Sequence, residues 1–95
     1  MRNDVIGCIV TSKAGRDRGR TFVVTAAEGE EYVMLSDGET RRMSNPKKKK
    51  LKHLSFGEGK LELGELPKDT LLADAAIRKS LSSLGYKDKT ESKEG

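Results

Sequence analysis

Residues 5–25 read VIGCIVTSKAGRDRGRTFVVT, and the rest of the chain is organised around this stretch. Its apolar ends predict two β-strands, the first ending at Val10 and the second covering residues 21–24. The segment between them, residues 13–20, carries four cations, one acid and two glycines. Because so polar a segment cannot join a hydrophobic core, we predict a surface loop that the two strands hold in place.

The cations of this loop favour an anionic polymer, and RNA in particular, as its partner. A guanidinium offers paired donors in the geometry that a phosphate accepts, and it also stacks on bases. The glycines permit a positive φ or the close approach of another chain, and Asp17 is expected to orient a neighbouring arginine. The alternative is an ordinary solvated hairpin loop. The predicted RNA contacts here are Lys13, Gly15, Arg16, Arg18, Gly19 and Arg20.

A second basic segment lies further along the chain and contains no acid between its cations. A run of like charges repels itself, so we expect it to be mobile until a polyanion neutralises it. RNA bound there would release counterions, and its affinity should fall steeply with added salt. The alternatives are a solubilising stretch or a localisation-like patch. The predicted RNA contacts of this segment are Arg41, Arg42, Lys47, Lys48, Lys49, Lys50 and Lys52.

Three further strands complete a predicted sheet. We place them over residues 31–36, 39–43 and 51–56, and Asp37 and Gly38 fit a type I′ hairpin turn between the first two. Closing a sheet of short strands removes its exposed edges and buries its few apolar residues. The predicted fold is therefore mainly β, a small SH3-like antiparallel barrel of about five strands over residues 1–56.

The C-terminal part is predicted to hold a single α-helix. Residues 57–68 form a linker, residues 69–85 the helix, and residues 86–95, which have almost no apolar side chains, a disordered tail. Asp69 or Thr70 can cap the helix N-terminus. The helix carries an apolar stripe that either packs on or beside the barrel or docks on a protein partner. The stripe consists of Ala73, Ile77, Leu81 and Leu84.

Composition limits the kind of protein this can be. The chain has 95 residues, of which only 34% are hydrophobic and 36% are charged, so it supports one small domain with a thin core. The net charge of +4 arises in residues 1–56, since acids slightly outnumber cations in the remainder. One cysteine cannot form an intrachain disulfide, and no stretch has the length of a secretory signal or a membrane span. We expect a cytoplasmic protein.

No arrangement of residues predicts catalysis, a metal site or a cofactor. His53 is the only histidine, and it has no sequence neighbour suited to act with it as a general base or metal ligand. Aromatic residues make up 4% of the chain, too few for a base-stacking platform, and Phe22, Tyr32 and Phe56 are assigned to the core. Binding should therefore use phosphates and helix shape rather than splayed bases.

The strand, the Gly-Arg-Asp-Arg-Gly-Arg loop and the following Phe-Val-Val resemble the KOW motif of ribosomal proteins and transcription elongation factors, with Gly19 at its characteristic glycine. Segments further along the chain extend the likeness. Their order is similar to that in the archaeal and eukaryotic large-subunit ribosomal protein family fourteen-e and its short bacterial relatives. The likeness covers roughly residues 5–55, and its later pieces are VMLSDG at 33–38, RRM at 41–43 and KLKHL at 50–54.

This resemblance implies an SH3-like barrel that binds ribosomal RNA on or near the large subunit. The C-terminal part does not match the family's own extension, so an accessory factor or a regulatory binder of messenger RNA stays open. KOW barrels of elongation factors also contact proteins, so the other alternative is a protein-interaction module of the transcription or translation machinery. In that case the apolar stripe of the helix would be the anchor.

Overall fold

The computed structural model describes residues 3–83, which form five β-strands and one α-helix. The strands are β1 (Cys8–Ser12), β2 (Thr21–Glu28), β3 (Tyr32–Ser36), β4 (Lys47–Lys50) and β5 (Leu54–Lys60), and the helix is α1 (Thr70–Ser83). Short 3-10 turns cover Asn3–Val5, Leu51–His53 and Leu63–Glu65. All strand pairs are antiparallel, in the order β4-β3-β2-β1-β5, and the sheet curls into a half-barrel. The predicted mainly β fold is confirmed, and the half-barrel is compatible with a small SH3-like barrel.

The two strands of the opening stretch are buried on both faces. Successive side chains of a strand point to opposite sides, so Val10 and Phe22, which pair across β1 and β2, lie in one apolar cluster inside the curl. Ile9 and Val23, the next pair, lie in a second cluster on the outer face. Continuous apolar runs in β1 and β2, instead of alternation, follow from this double burial.

Helix α1 covers the outer face of the sheet. The Asp69 carboxylate accepts hydrogen bonds from the backbone N–H groups of Leu71 and Leu72 and so caps the helix. Ile77 and Leu81 join the outer cluster, and each fully buried side chain of this kind contributes roughly 1.5–3 kcal/mol. The described part of the stripe therefore packs on the sheet. The predicted helix end at residue 85, Leu84 and the tail over 86–95 lie outside the described residues.

The predicted linker, residues 57–68, belongs to the fold. Residues 51–53 form a 3-10 turn instead of opening the fifth strand, and β5 starts at Leu54 and continues past residue 56 to Lys60. It does so because β1 offers it a partner along this length, with a bulge near the end. The side chains that follow, Leu61, Leu63 and Leu66, pack against the outer cluster.

Three sequence predictions near the sheet edges are wrong. Asp37 and Gly38 do not form a type I′ turn. Such a turn needs a positive φ at both residues, and only Gly38 has one, at 76°. The predicted strand over 39–43 is part of a loop, and β4 pairs with β3 instead. Phe56 is not core, since it stands on the edge strand β5 and is 47% exposed. Within residues 3–83 no helix is long and apolar enough to cross a membrane.

Candidate nucleic-acid interface

The first basic loop (residues 13–20) joins β1 to β2 and is folded by its own backbone. The N–H groups of Arg18 and Arg20 donate to the carbonyl oxygens of Gly15 and Asp17, and Gly19 N–H donates to the carbonyl of Ser12. Of the two roles that the sequence leaves open for the loop glycines, both show the positive φ, 83° at Gly15 and 88° at Gly19. The loop is therefore a defined series of turns, and its cations project from a backbone of fixed conformation.

Asp17 anchors this loop to β4. Its Oδ1 accepts a hydrogen bond of 2.8 Å from Lys49 Nζ and one of 3.0 Å from Ser12 Oγ, and Lys47 Nζ lies 3.5 Å from Oδ2. Lys49 Nζ also donates to the carbonyl of Ala14 at 2.8 Å. The prediction that Asp17 orients a neighbouring arginine is wrong. The sheet brings two lysines from a distant part of the chain over the carboxylate, which sequence adjacency cannot reveal.

The lysine run (residues 47–50) is a strand, so the prediction of a mobile segment is also wrong. Because side chains alternate along a strand, Lys47 and Lys49 point toward Asp17 while Lys48 and Lys50 point to the opposite face. There the two ammonium groups lie 4.9 and 5.9 Å from the centre of the Tyr32 ring. Alternation and these partners reduce the repulsion between the charges.

Acid is expected to weaken the Asp17 anchor. Burial raises the pKa of Asp17, but hydrogen bonds from Lys49 and Ser12 and the charge of Lys47 outweigh it, so the pKa falls below 3.8. The folded state then binds fewer protons than the unfolded state. The resulting stabilisation is complete above about pH 3.8 and is lost as the pH falls through the lower folded value.

Urea unfolding of the wild type and of Asp17→Asn, from about pH 5 to about pH 2, measures this effect. The stability difference between the two proteins should shrink as the pH falls, since the amide has no proton to take up. A difference that stays constant over the whole range would contradict the assignment.

The Asp37 loop (residues 37–46) lies beside the first basic loop and is held by two carboxylates. Asp37 Oδ1 accepts from the N–H groups of Glu39 and Arg41, both at 2.8 Å, which makes a wider turn than the predicted hairpin. Asp74 on α1 is 3% exposed and accepts a 2.8 Å hydrogen bond from Met43 N–H. Sequence reasoning missed Asp74 as a positioning residue, although an acid next to Ala73 on the apolar side of the helix was a signal.

A basic cleft of about 230 Å³ opens between the two loops. Four of its lining residues are cations, two from the first basic loop and two from residues 41–47. Arg20 contacts the Asp37 carboxylate at 3.5 Å and the Thr40 hydroxyl at 3.3 Å. The residues that line the cleft are Arg16, Asp17, Arg20, Phe22, Thr40, Arg41 and Lys47.

The predicted RNA contacts do not all share one surface. Four of them meet at the basic cleft, and the exposed side chains of Lys13, Arg18 and Arg42 belong to the two loops beside it. Lys49 is only 9% exposed and is used by the Asp17 anchor. Lys48 and Lys50 lie on the other face with Tyr32, and Lys52 is exposed on the 3-10 turn before β5.

Comparison with known proteins adds no relative to this description. No family model matches the chain, and a search of curated proteins finds no similar sequence. Among residues 3–83, no group of three or more His, Cys, Asp or Glu side chains could hold a metal ion. The charge and geometry of the basic cleft are therefore the features from which a function is proposed.

Proposed function

We propose that this protein is a non-enzymatic RNA-binding protein that contacts the phosphate backbone with its two loops. The observation that carries the proposal is the convergence of Arg16, Arg20, Arg41 and Lys47 on one cleft. These cations come from segments far apart in the chain, and bringing like charges together opposes folding unless an anion or a neighbouring acid balances them. An RNA backbone supplies such anions at regular spacing.

The types of residue at the cleft favour phosphate contact over base reading. Three of the four cations are arginines, whose planar guanidinium groups match phosphate oxygens in pairs. Phe22 lies at the cleft but is only 1% exposed, so its ring face is not free to stack on a base. Tyr32 already has two lysine ammonium groups near its ring. RNA would thus be recognised through its backbone and its shape.

The resemblance to KOW proteins supports ribosomal RNA, in association with the large ribosomal subunit, as the target. A regulatory binder of messenger RNA would use the same cations in the same way. The protein-interaction alternative needs an exposed apolar stripe on the helix. Three of the four predicted stripe residues, Ala73, Ile77 and Leu81, are instead buried in the chain's own fold. Substituting Ile77 would therefore disturb folding and could not test a partner surface selectively.

Reversing two exposed arginines of the first basic loop should remove most RNA binding. In Arg16→Glu/Arg18→Glu, two phosphate contacts become repulsive, so the slope of log affinity against log salt should decrease by about two. The matched control is Lys68→Glu/Lys79→Glu, which changes the net charge equally at exposed positions elsewhere. Fluorescence anisotropy with large-subunit ribosomal RNA fragments, measured over a salt series, gives both the affinity and its salt slope.

Equal losses in the two variants would show that only net charge matters, and the proposed interface would be wrong. Absence of binding by the wild type at low salt would reject RNA binding altogether. Crosslinking in cells followed by sequencing then identifies the RNA. Reads concentrated on large-subunit ribosomal RNA support the ribosomal target, and reads spread over messages favour the regulator.

A further inference from the structure

The four cations of the basic cleft differ in whether they already contact an acid. Arg20 is paired with Asp37, and Lys47 with Asp17. In the part of the chain that the structure describes, the guanidinium groups of Arg16 and Arg41 have neither an ion-pair nor a hydrogen-bond partner, and both line the cleft. Two uncompensated positive charges thus face one concave space from opposite loops.

Both loops are held before any ligand arrives. The Asp17 anchor fixes the loop that carries Arg16, since Asp17 is the next residue and is bonded to Lys49 and Ser12. Asp37 fixes the backbone N–H of Arg41 at 2.8 Å. Binding therefore need not order the backbone around the cleft, and less of the interaction energy is spent on conformational entropy.

We propose that the basic cleft is a discrete site for one phosphate group, bound between the guanidinium groups of Arg16 and Arg41. Arg20 and Lys47 line the same space and add positive charge while remaining paired with their acids. Under the proposed function, on which the source of the ligand rests, this phosphate belongs to the RNA backbone. The other exposed cations then add diffuse attraction, and the cleft sets where the strand is held.

Size and chemistry favour a phosphate group over larger ligands. The cleft volume of about 230 Å³ is below the ~300–1,000 Å³ usual for pockets that enclose a drug-sized molecule. Two guanidinium groups can each donate two hydrogen bonds to a tetrahedral anion, which has enough oxygen acceptors for both. The phosphate could come from an RNA backbone or from a small phosphorylated ligand, and the experiment must separate these sources.

Single substitutions to glutamine test the site, with matched controls from the same two loops. Arg16→Gln and Arg41→Gln remove the proposed ligands, whereas Arg18→Gln and Arg42→Gln remove exposed arginines that do not line the cleft. We expect RNA affinity to fall about 10- to 100-fold for each of the first pair. For each control the loss should be no more than about fivefold.

The second measurement uses inorganic phosphate as the probe, added to the wild type and followed by NMR of the arginine Nε–Hε signals. Saturable shifts confined to the cleft arginines, together with competition against RNA, support the site. If all four variants lose RNA affinity equally and phosphate causes no saturable shift, the discrete site is wrong, but the proposed RNA-binding function still stands. Phosphate saturation without any RNA binding would keep the site, assign it to a small phosphorylated ligand and reject the proposed function.

Discussion

Gly38→Ala is expected to destabilise the protein by at least ~3 kcal/mol, one of the two largest effects that we predict. Gly38 has a φ of 76°, and a Cβ added there would overlap the backbone carbonyl oxygen of Asp74 on α1. Its own carbonyl also accepts a 2.6 Å hydrogen bond from Arg78. Because the obstacle is backbone, relief requires moving α1 away from the Asp37 loop, which would break the bond from Met43 N–H to Asp74.

Gly29→Ala is the matched control for this substitution. Gly29 also has a positive φ, 69°, but a Cβ there meets no atom within 4 Å. It should cost only the ~1–2 kcal/mol of left-handed backbone in a non-glycine residue. Urea unfolding followed by circular dichroism measures both variants. If Gly38→Ala loses no more stability than Gly29→Ala, the close contact between α1 and the Asp37 loop is not present in solution.

Asp17→Ala is the second substitution with a large expected effect, a loss of about 3 kcal/mol. The Lys49 ammonium, whose side chain is 9% exposed, would keep only the Ala14 carbonyl as a partner. A buried charge without a counter-charge is strongly unfavourable, whereas an apolar side chain of similar length at the same place is tolerated. Asp17→Ala/Lys49→Met should therefore recover most of the lost stability.

A double-mutant cycle of Asp17→Ala, Lys49→Met and the combined variant measures this coupling by urea unfolding. The two single losses should be strongly non-additive, since each removes the same pair. Additive losses would mean that Asp17 and Lys49 act independently, and the anchor would then not exist as described. RNA binding measured on the stable double variant reports separately whether the anchor positions the first basic loop.

These two substitutions disrupt the contacts that hold the two cationic loops against the rest of the fold. The first contact joins the first basic loop to β4 through Asp17 and Lys49. The second contact joins the Asp37 loop to α1 through Asp74 and Met43. In each case a carboxylate links a loop to an element of the fold, and its side chain is partly buried at Asp17 and buried at Asp74. The acids of this basic protein thus position its cations, although they reduce its net charge.

The sequence predicted the fold class because local signals there agree with the tertiary structure. The apolar runs on either side of residues 13–20 form β1 and β2. The capping residue and the helical spacing of the apolar stripe correctly predicted α1. Charged loops could likewise be located from composition, since a segment such as GRDRGR has no place in a core. For these features the physical cause lies within a few neighbouring residues.

Only the tertiary structure decided how the cations are used. Strand alternation and pairing separate Lys49, buried against Asp17, from Lys48 on the other face, although the two are adjacent and identical in type. The same pairing made the lysine run a strand and turned residues 39–43 into a loop. Which cations stay free and which contact an acid depends on contacts between residues 17 to 32 positions apart, because electrostatic energy depends on distance in space and not along the chain.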